Sequence, residues 1–402
     1  TSGGTEAESR INFGQKPFKF SPPDGFQPLN NANIRPETVI SRPDQFVGAT
    51  LWTGNGGTRN IDVGHKSDFV WIKKRNSTSY GDHMLFDTVR GATKFLKSQT
   101  TGAEGTDVTT LTAFTSDGFT IGAGWEVNKA SDTYVAWTWK AGGSKNTFNV
   151  DDVGYATAAA AGLTGGDITP TGASVGTKQG FSIIKYAGSG TNGDTLPHGL
   201  LQTPDFIITK NLTDGAVDWI IKPVGLLTDD SYMLIFNTNA QFQGTGGYIS
   251  AQTSTLLTLT EGNNDGNYNN SGDNYVMYAW HDVPGLQKFG AWSANGQTGT
   301  GGPYIHTGFK PSLILIKKYA GQTDNWFIFD TKRDSFNVTE NWLLPNTSAA
   351  ESSDVYNKID ILSDGFAIRV DNADYGMNVS NTSFIYAAWA EAPTVDLFGG
   401  GA

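Results

Sequence analysis

The sequence predicts an all-β fold, built as three tandem β-sandwich-like repeat units of about 100 residues with extended linkers. Three observations predict it. The 402 residues include 50 Gly, 23 Phe, 14 Tyr and 11 Trp, a composition that suits short strands joined by tight turns. β-Branched and aromatic runs of strand length are bounded by turn residues. Five features then recur in the same order three times, well beyond chance.

The first feature is an aromatic residue followed by a Gly/Asn turn: Trp52-Thr53-Gly54-Asn55-Gly56, Tyr186-Ala187-Gly188-Ser189-Gly190 and Trp292-Ser293-Ala294-Asn295-Gly296. Gly and Asn supply the positive φ that such turns need. The second is a buried-type strand: Phe69-Val70-Trp71-Ile72-Lys73-Lys74, Phe206-Ile207-Ile208-Thr209-Lys210 and Leu313-Ile314-Leu315-Ile316-Lys317-Lys318. A second apolar run follows, as Met84-Leu85-Phe86-Asp87, Trp219-Ile220-Ile221-Lys222 and Trp326-Phe327-Ile328-Phe329-Asp330. The fourth is a Ser-Asp-Gly-Phe turn at Ser116–Phe119 and Ser363–Phe366, which the middle copy replaces with the longer Glu261-Gly262-Asn263-Asn264-Asp265-Gly266. Each copy closes on an aromatic strand ending in Trp139, Trp280 or Trp389.

The units are 46–143, 180–285 and 286–393. One unit suffices for a small two-layer sandwich with its closing Trp in the core. Residues 1–45 carry six prolines and are expected to run extended, 144–179 reads as a linker with a short helix at 155–161, and 394–402 reads as a C-terminal linker.

Gly180-Phe181-Ser182-Ile183-Ile184-Lys185-Tyr186, His198-Gly199-Leu200 and Pro204-Asp205-Phe206-Ile207-Ile208 resemble a repeat domain of marine-phage and cyanophage tail-fibre-like virion proteins. Phe289-Gly290, Tyr304–Pro311 and Ile361–Phe366 look like its next copy, and Tyr386–Pro393 resembles its ending. The first copy departs most from the pattern. Ile11–Phe18 resembles the last strand and exit of a SPRY-type, concanavalin-like domain, which implies that the chain begins after most of an upstream domain. The resemblance implies a structural or host-attachment role in the virion, with other virion subunits as partners and no catalytic residues. Association into a homo-oligomer is expected because strand edges invite pairing; a trimer is favoured by analogy to tail fibres.

Chemistry-bearing residues point the same way. There is no Cys, which excludes disulfides, thiolate metal sites and cysteine nucleophiles. A net charge of −11 disfavours nucleic acid, and no apolar run reaches bilayer length. His65, His83, His198, His281 and His306 lack metal spacing; His198 and His306 share a place before Gly, where holding a turn is the simpler role. Asp151-Asp152, Asp229-Asp230 and Asp330 with Asp334 read as turn residues rather than a glycosidase pair. The 261–273 loop is the candidate glycan contact, through Asn263, Asn264, Asp265, Asn267 and Tyr268, which offer hydrogen bonds and a ring for stacking. Its oxygen-rich composition also suits calcium, but it lacks the spacing and closing Glu of an EF-hand. No cofactor is expected. A carbohydrate-binding adhesin module is the alternative, and a polysaccharide depolymerase a further one.

Overall fold

The computed structural model describes residues 39–225, 232–244, 249–260 and 266–392. Ile11–Phe18, the segment resembling a domain exit, lies outside them, as do the last ten residues, 393–402. The fold is all-β: strands dominate, and the helical elements among the described residues are Trp125–Asn128 and three 3-10 turns.

One order of pairing occurs three times. The strand with the closing Trp is central, flanked by the strand that opens each unit and by the buried apolar run. The four-stranded orders are Val47–Thr53, Thr133–Trp139, Phe69–Lys74, His83–Asp87 and Gln287–Ser293, Ser383–Ala390, Pro311–Ala320, Trp326–Asp330. Between them in sequence, Phe181–Ala187, Asn274–Trp280, Phe206–Asn211 and Ile220–Pro223 follow the same order inside a larger sheet. A three-stranded sheet faces each: Arg59–Asp62, Gly118–Ile121, Leu111–Phe114; then Thr195–Pro197, Leu256–Leu259, Ile249–Gln252; then Tyr304–His306, Gly365–Ile368, Ile359–Leu362.

Alternation along a strand sends neighbouring side chains to opposite faces. Val70 and Ile72 pack on Ile61, Leu111, Phe119 and Ile121 of their own small sheet. Ile207 meets Ile249, Leu257 and Leu259, and Ile314 and Ile316 meet Ile305, Ile359 and Phe366, in the same way. The opposite faces do not meet solvent. Phe69, Trp71, Phe206, Ile208, Leu313 and Leu315 converge on one shared core. Burial on both faces is why these strands read as unbroken apolar runs.

The closing tryptophans therefore do not fill separate sandwiches, as the sequence had suggested. They meet one another: ring centroids of Trp139 and Trp389 are 5.3 Å apart, Trp280 and Trp389 6.2 Å, and Trp139 and Trp280 6.5 Å. Buried side-chain donors run around this triad in one direction, while the backbone donors Glu104, Phe242 and Glu351 reach Leu212, Tyr319 and Arg75 the other way. Lys73 Nζ donates to Ser348 O of the third unit (3.1 Å), Lys210 Nζ to Thr101 O of the first (2.7 Å), and Lys317 Nζ to Asn239 O of the second (3.1 Å). Beside each lysine a ring reaches the same neighbour: His83 Nε2 to Leu344 O at 3.0 Å, Trp219 Nε1 to Lys97 O at 2.9 Å, and Trp326 Nε1 to Ile235 O at 3.1 Å. Each unit thus grips the one before it, and the first grips the third.

Two further readings are corrected. Part of the 144–179 segment is sheet rather than linker: Phe148–Val150, Val153–Tyr155 and Gly172–Gly176 extend the sheet of the middle unit beside Phe181–Ala187. In the 155–161 stretch expected to be helical, Tyr155 ends a strand and 156–161 form bends and turns, with Gly162 taking a positive φ of 74°. The short side chains there bury little beyond Ala158, so no apolar face holds a helix in place.

Candidate functional site

Asn263, Asn264 and Asp265 lie outside the described residues. The other two members of the expected glycan loop are buried, Asn267 at 7% and Tyr268 at 2% exposure. Tyr268 packs in the core of the middle unit, and its carbonyl accepts the Tyr186 hydroxyl at 2.7 Å. No face of its ring is open to a sugar. The cause is a shift of equivalence between units. In the middle unit the turn matching Ser-Asp-Gly-Phe is Thr253–Thr255, where the Thr253 hydroxyl accepts from Leu256 N. Asn269 instead matches Asn128 and Asn378. The side-chain oxygen of each accepts a backbone N–H of the Gly/Asn turn, from Ser189, Asn55 and Asn295 respectively. Tyr268 therefore occupies the core place of Val127 and Met377.

The histidines are structural where buried. His198 Nδ1 accepts from Leu200 N at 3.2 Å across the turn, and burial pushes its pKa down to about 4. His83 accepts the Trp71 indole N–H on Nδ1 at 2.9 Å, so its proton sits on Nε2 and is donated to Leu344 O. Burial, with the Lys73 charge adding to it, holds His83 well below the usual imidazole range. His306, matched with His198 in sequence, is exposed and lies 3.8 Å from Asp364.

The carboxylate pairs are occupied. Asp151 accepts from Thr177, and Asp152 pairs with Lys140 at 2.7 Å. Asp330 is buried against Arg333 and the Trp137 indole, while Asp334 accepts from Glu340 N and Asn341 N. Asp229-Asp230 lies outside the described residues. Among the described residues no group of three His, Cys, Asp or Glu is arranged to hold a metal ion. A small apolar gap beside the triad is lined by Trp71, Trp137, Trp139, Leu313, Leu315, Ile328 and Trp389, with no polar atom to orient a reacting group.

The three gripping lysines are perturbed by burial as well. Burial pushes Lys73 and Lys317 down to about 7 and Lys210 to about 8, against partial support from nearby Asp side chains. The unfolded chain keeps these protons to about pH 10.4, so it binds more protons than the folded one above pH 7–8. Stability should therefore rise from pH 7 to pH 9.5. Urea midpoints at the two pH values check this, and a flat or falling profile would contradict the burial of the three ammonium groups. Lys210→Met should shrink the rise.

What sequence reasoning missed lies on the surface. Trp125 and Tyr80 are 51% and 47% exposed and pack edge to face, with centroids 5.0 Å apart. Tyr375, 66% exposed, packs likewise on Tyr356 at 5.7 Å. Trp125 and Tyr375 precede the equivalent Asn128 and Asn378 by the same three residues. The available signal was an aromatic within a Gly- or Asp-rich turn, Gly122-Ala123-Gly124-Trp125 and Asp374-Tyr375-Gly376.

No curated protein matches the chain. A family model does, across all three units and the segments between them. Matched over residues 42–393, the chain belongs to the family described as domain of unknown function (DUF7483).

Proposed function

We propose that the chain is a phage virion structural protein, a tail-fibre or tail-associated subunit that contributes to attachment at the host surface. The observation that carries this reading is the directional ring of buried side-chain donors around the tryptophan triad. Such a body is rigid and spends its polar interior on assembly, leaving loops to present surface groups. The sequence resemblance to virion repeat domains supports the same role. Its partners are other virion subunits and further copies of the chain, a trimer by analogy to tail fibres. The adhesin alternative is favoured by one observation, the exposed Trp125–Tyr80 pair.

Antibodies raised to the purified chain should label phage particles at the tail, and free chain added to host cells should reduce adsorption. Particles that carry no label would overturn the virion role. Labelled particles whose adsorption is indifferent to the free chain would leave a scaffold without attachment.

A further inference from the structure

In the middle-unit loop expected to contact a glycan, Asn267 and Tyr268 are buried, but the first and third units present aromatic rings at one common address. We infer that the Trp125–Tyr80 corner, with Tyr375–Tyr356 as its counterpart, stacks on the C–H face of a neutral pyranose ring. This assignment rests on the attachment reading and gives it a location and a ligand class.

The corner is held from beneath. Tyr80 takes a φ of 53°, a left-handed conformation that is unusual for a bulky residue. The carbonyls on either side of it are fixed by two buried ammonium groups: Lys74 Nζ donates to Ser79 O at 2.9 Å and Lys73 Nζ to Gly81 O. Gly81 is wedged between Ser77 O and Ser348 O, where an added Cβ would lie 2.5 and 2.8 Å from them. Trp125 is set by its carbonyl, which accepts the buried Tyr134 hydroxyl at 2.9 Å. Two exposed rings at 80° are thereby ordered before any ligand arrives, which lowers the entropic cost of binding.

Size and charge select the occupant. Half-exposed, the two rings offer roughly 200 Å² of apolar surface, far below the ~800 Å² per partner of a stable protein interface but comparable with one face of a sugar ring. The surroundings carry both signs and hydrogen-bonding groups. Lys129 Nζ sits over the Trp125 ring at 5.3 Å from its centroid and Lys74 Nζ over the Tyr80 ring at 5.7 Å, so a sugar takes the opposite faces; Asp132 pairs with Lys74 and is met by Asn76. A rim of this kind matches hydroxyls rather than a strongly charged polymer.

The test uses the full chain and neutral hexasaccharides of glucose, mannose, galactose and N-acetylglucosamine, read by saturation-transfer NMR and titration. At least one should bind, and Trp125→Ala combined with Tyr375→Ala should weaken it about tenfold or more, the loss expected of aromatic anchors. Tyr80→Gly, which removes a ring while suiting the backbone, should weaken it with no fall in melting temperature. Leu201→Ala, at an exposed apolar position elsewhere, should change nothing. The assignment is overturned if no hexasaccharide binds, or if the double variant keeps the native circular dichroism and the native affinity. Labelled particles carrying a sugar-blind chain would sink this assignment alone; unlabelled particles with a sugar-binding chain would sink only the virion role.

Discussion

Trp280→Ala is expected to destabilise the protein by about 3–5 kcal/mol, the range for truncating a large buried aromatic. Its ring is 1% exposed and lies 4.5 Å from Phe181 in a stacked pair, within reach of Phe69, Phe206, Trp139 and Trp389. Those neighbours come from all three units, so the cavity weakens the shared core rather than one sandwich. Chemical denaturation followed by tryptophan fluorescence and by far-ultraviolet circular dichroism should give one coincident transition, shifted as a whole. A variant in which only part of the β signal is lost early would show that the units unfold separately, against the packing described.

Asp87→Ala should cost a similar amount, about 3–5 kcal/mol, because it strands a charge. Asp87 accepts from the guanidinium of Arg90, from the N–H groups of Val89 and Arg90, and from the Tyr278 hydroxyl at 2.7 Å across the unit boundary. Arg90 is buried; burial works against its charge, and Asp87 overcomes this and raises its pKa. Removing the carboxylate leaves that guanidinium without its main counter-charge. Tyr278→Phe removes only the boundary hydrogen bond and should cost about 1.5–3 kcal/mol, the range for a bond to a charged group. Equilibrium urea titrations of the two variants separate these effects, and equal losses would mean that the ion pair contributes little. The third unit repeats the arrangement with Asp330, Arg333 and the Trp137 indole. At the remaining boundary both partners are replaced, by Pro223 and Ala387, which hold the matching places in the strand registers.

Much of this architecture was legible. The aromatic strands ending in Trp139, Trp280 and Trp389 and the runs beginning at Phe69, Phe206 and Leu313 are buried at matching places. What could not be read was the direction of each face. A strand covered on both sides has no apolar–polar alternation, so Trp71 and Ile72 look alike although one meets the neighbouring units and the other its own small sheet. The cross-unit lysines were hidden for the same reason, since a lysine at a strand end normally reads as solvated. Tyr268 was misplaced through length. Thr253–Thr255 turns the chain without Gly or Asp, so the next Gly-rich stretch drew the alignment and placed buried Tyr268 on a loop tip. Trp125, an aromatic beside glycines, belongs to none of the five repeated features and so drew no reading.

The direction of the grip has a consequence for how the chain comes to be made. Lys73, His83 and Arg75 belong to the first unit, yet their partners Ser348, Leu344 and Glu351 lie more than 250 positions later. During synthesis the first unit emerges before these third-unit partners exist, whereas the middle unit finds Lys97 and Thr101 already made. Closure of the ring must wait for the last unit, and such distant pairings carry the largest loop-closure cost. A ribosome-bound chain ending before residue 311 would hold two units joined along one seam, with the side of the tryptophan core that Leu313 and Trp389 cover open to solvent until the final strands arrive.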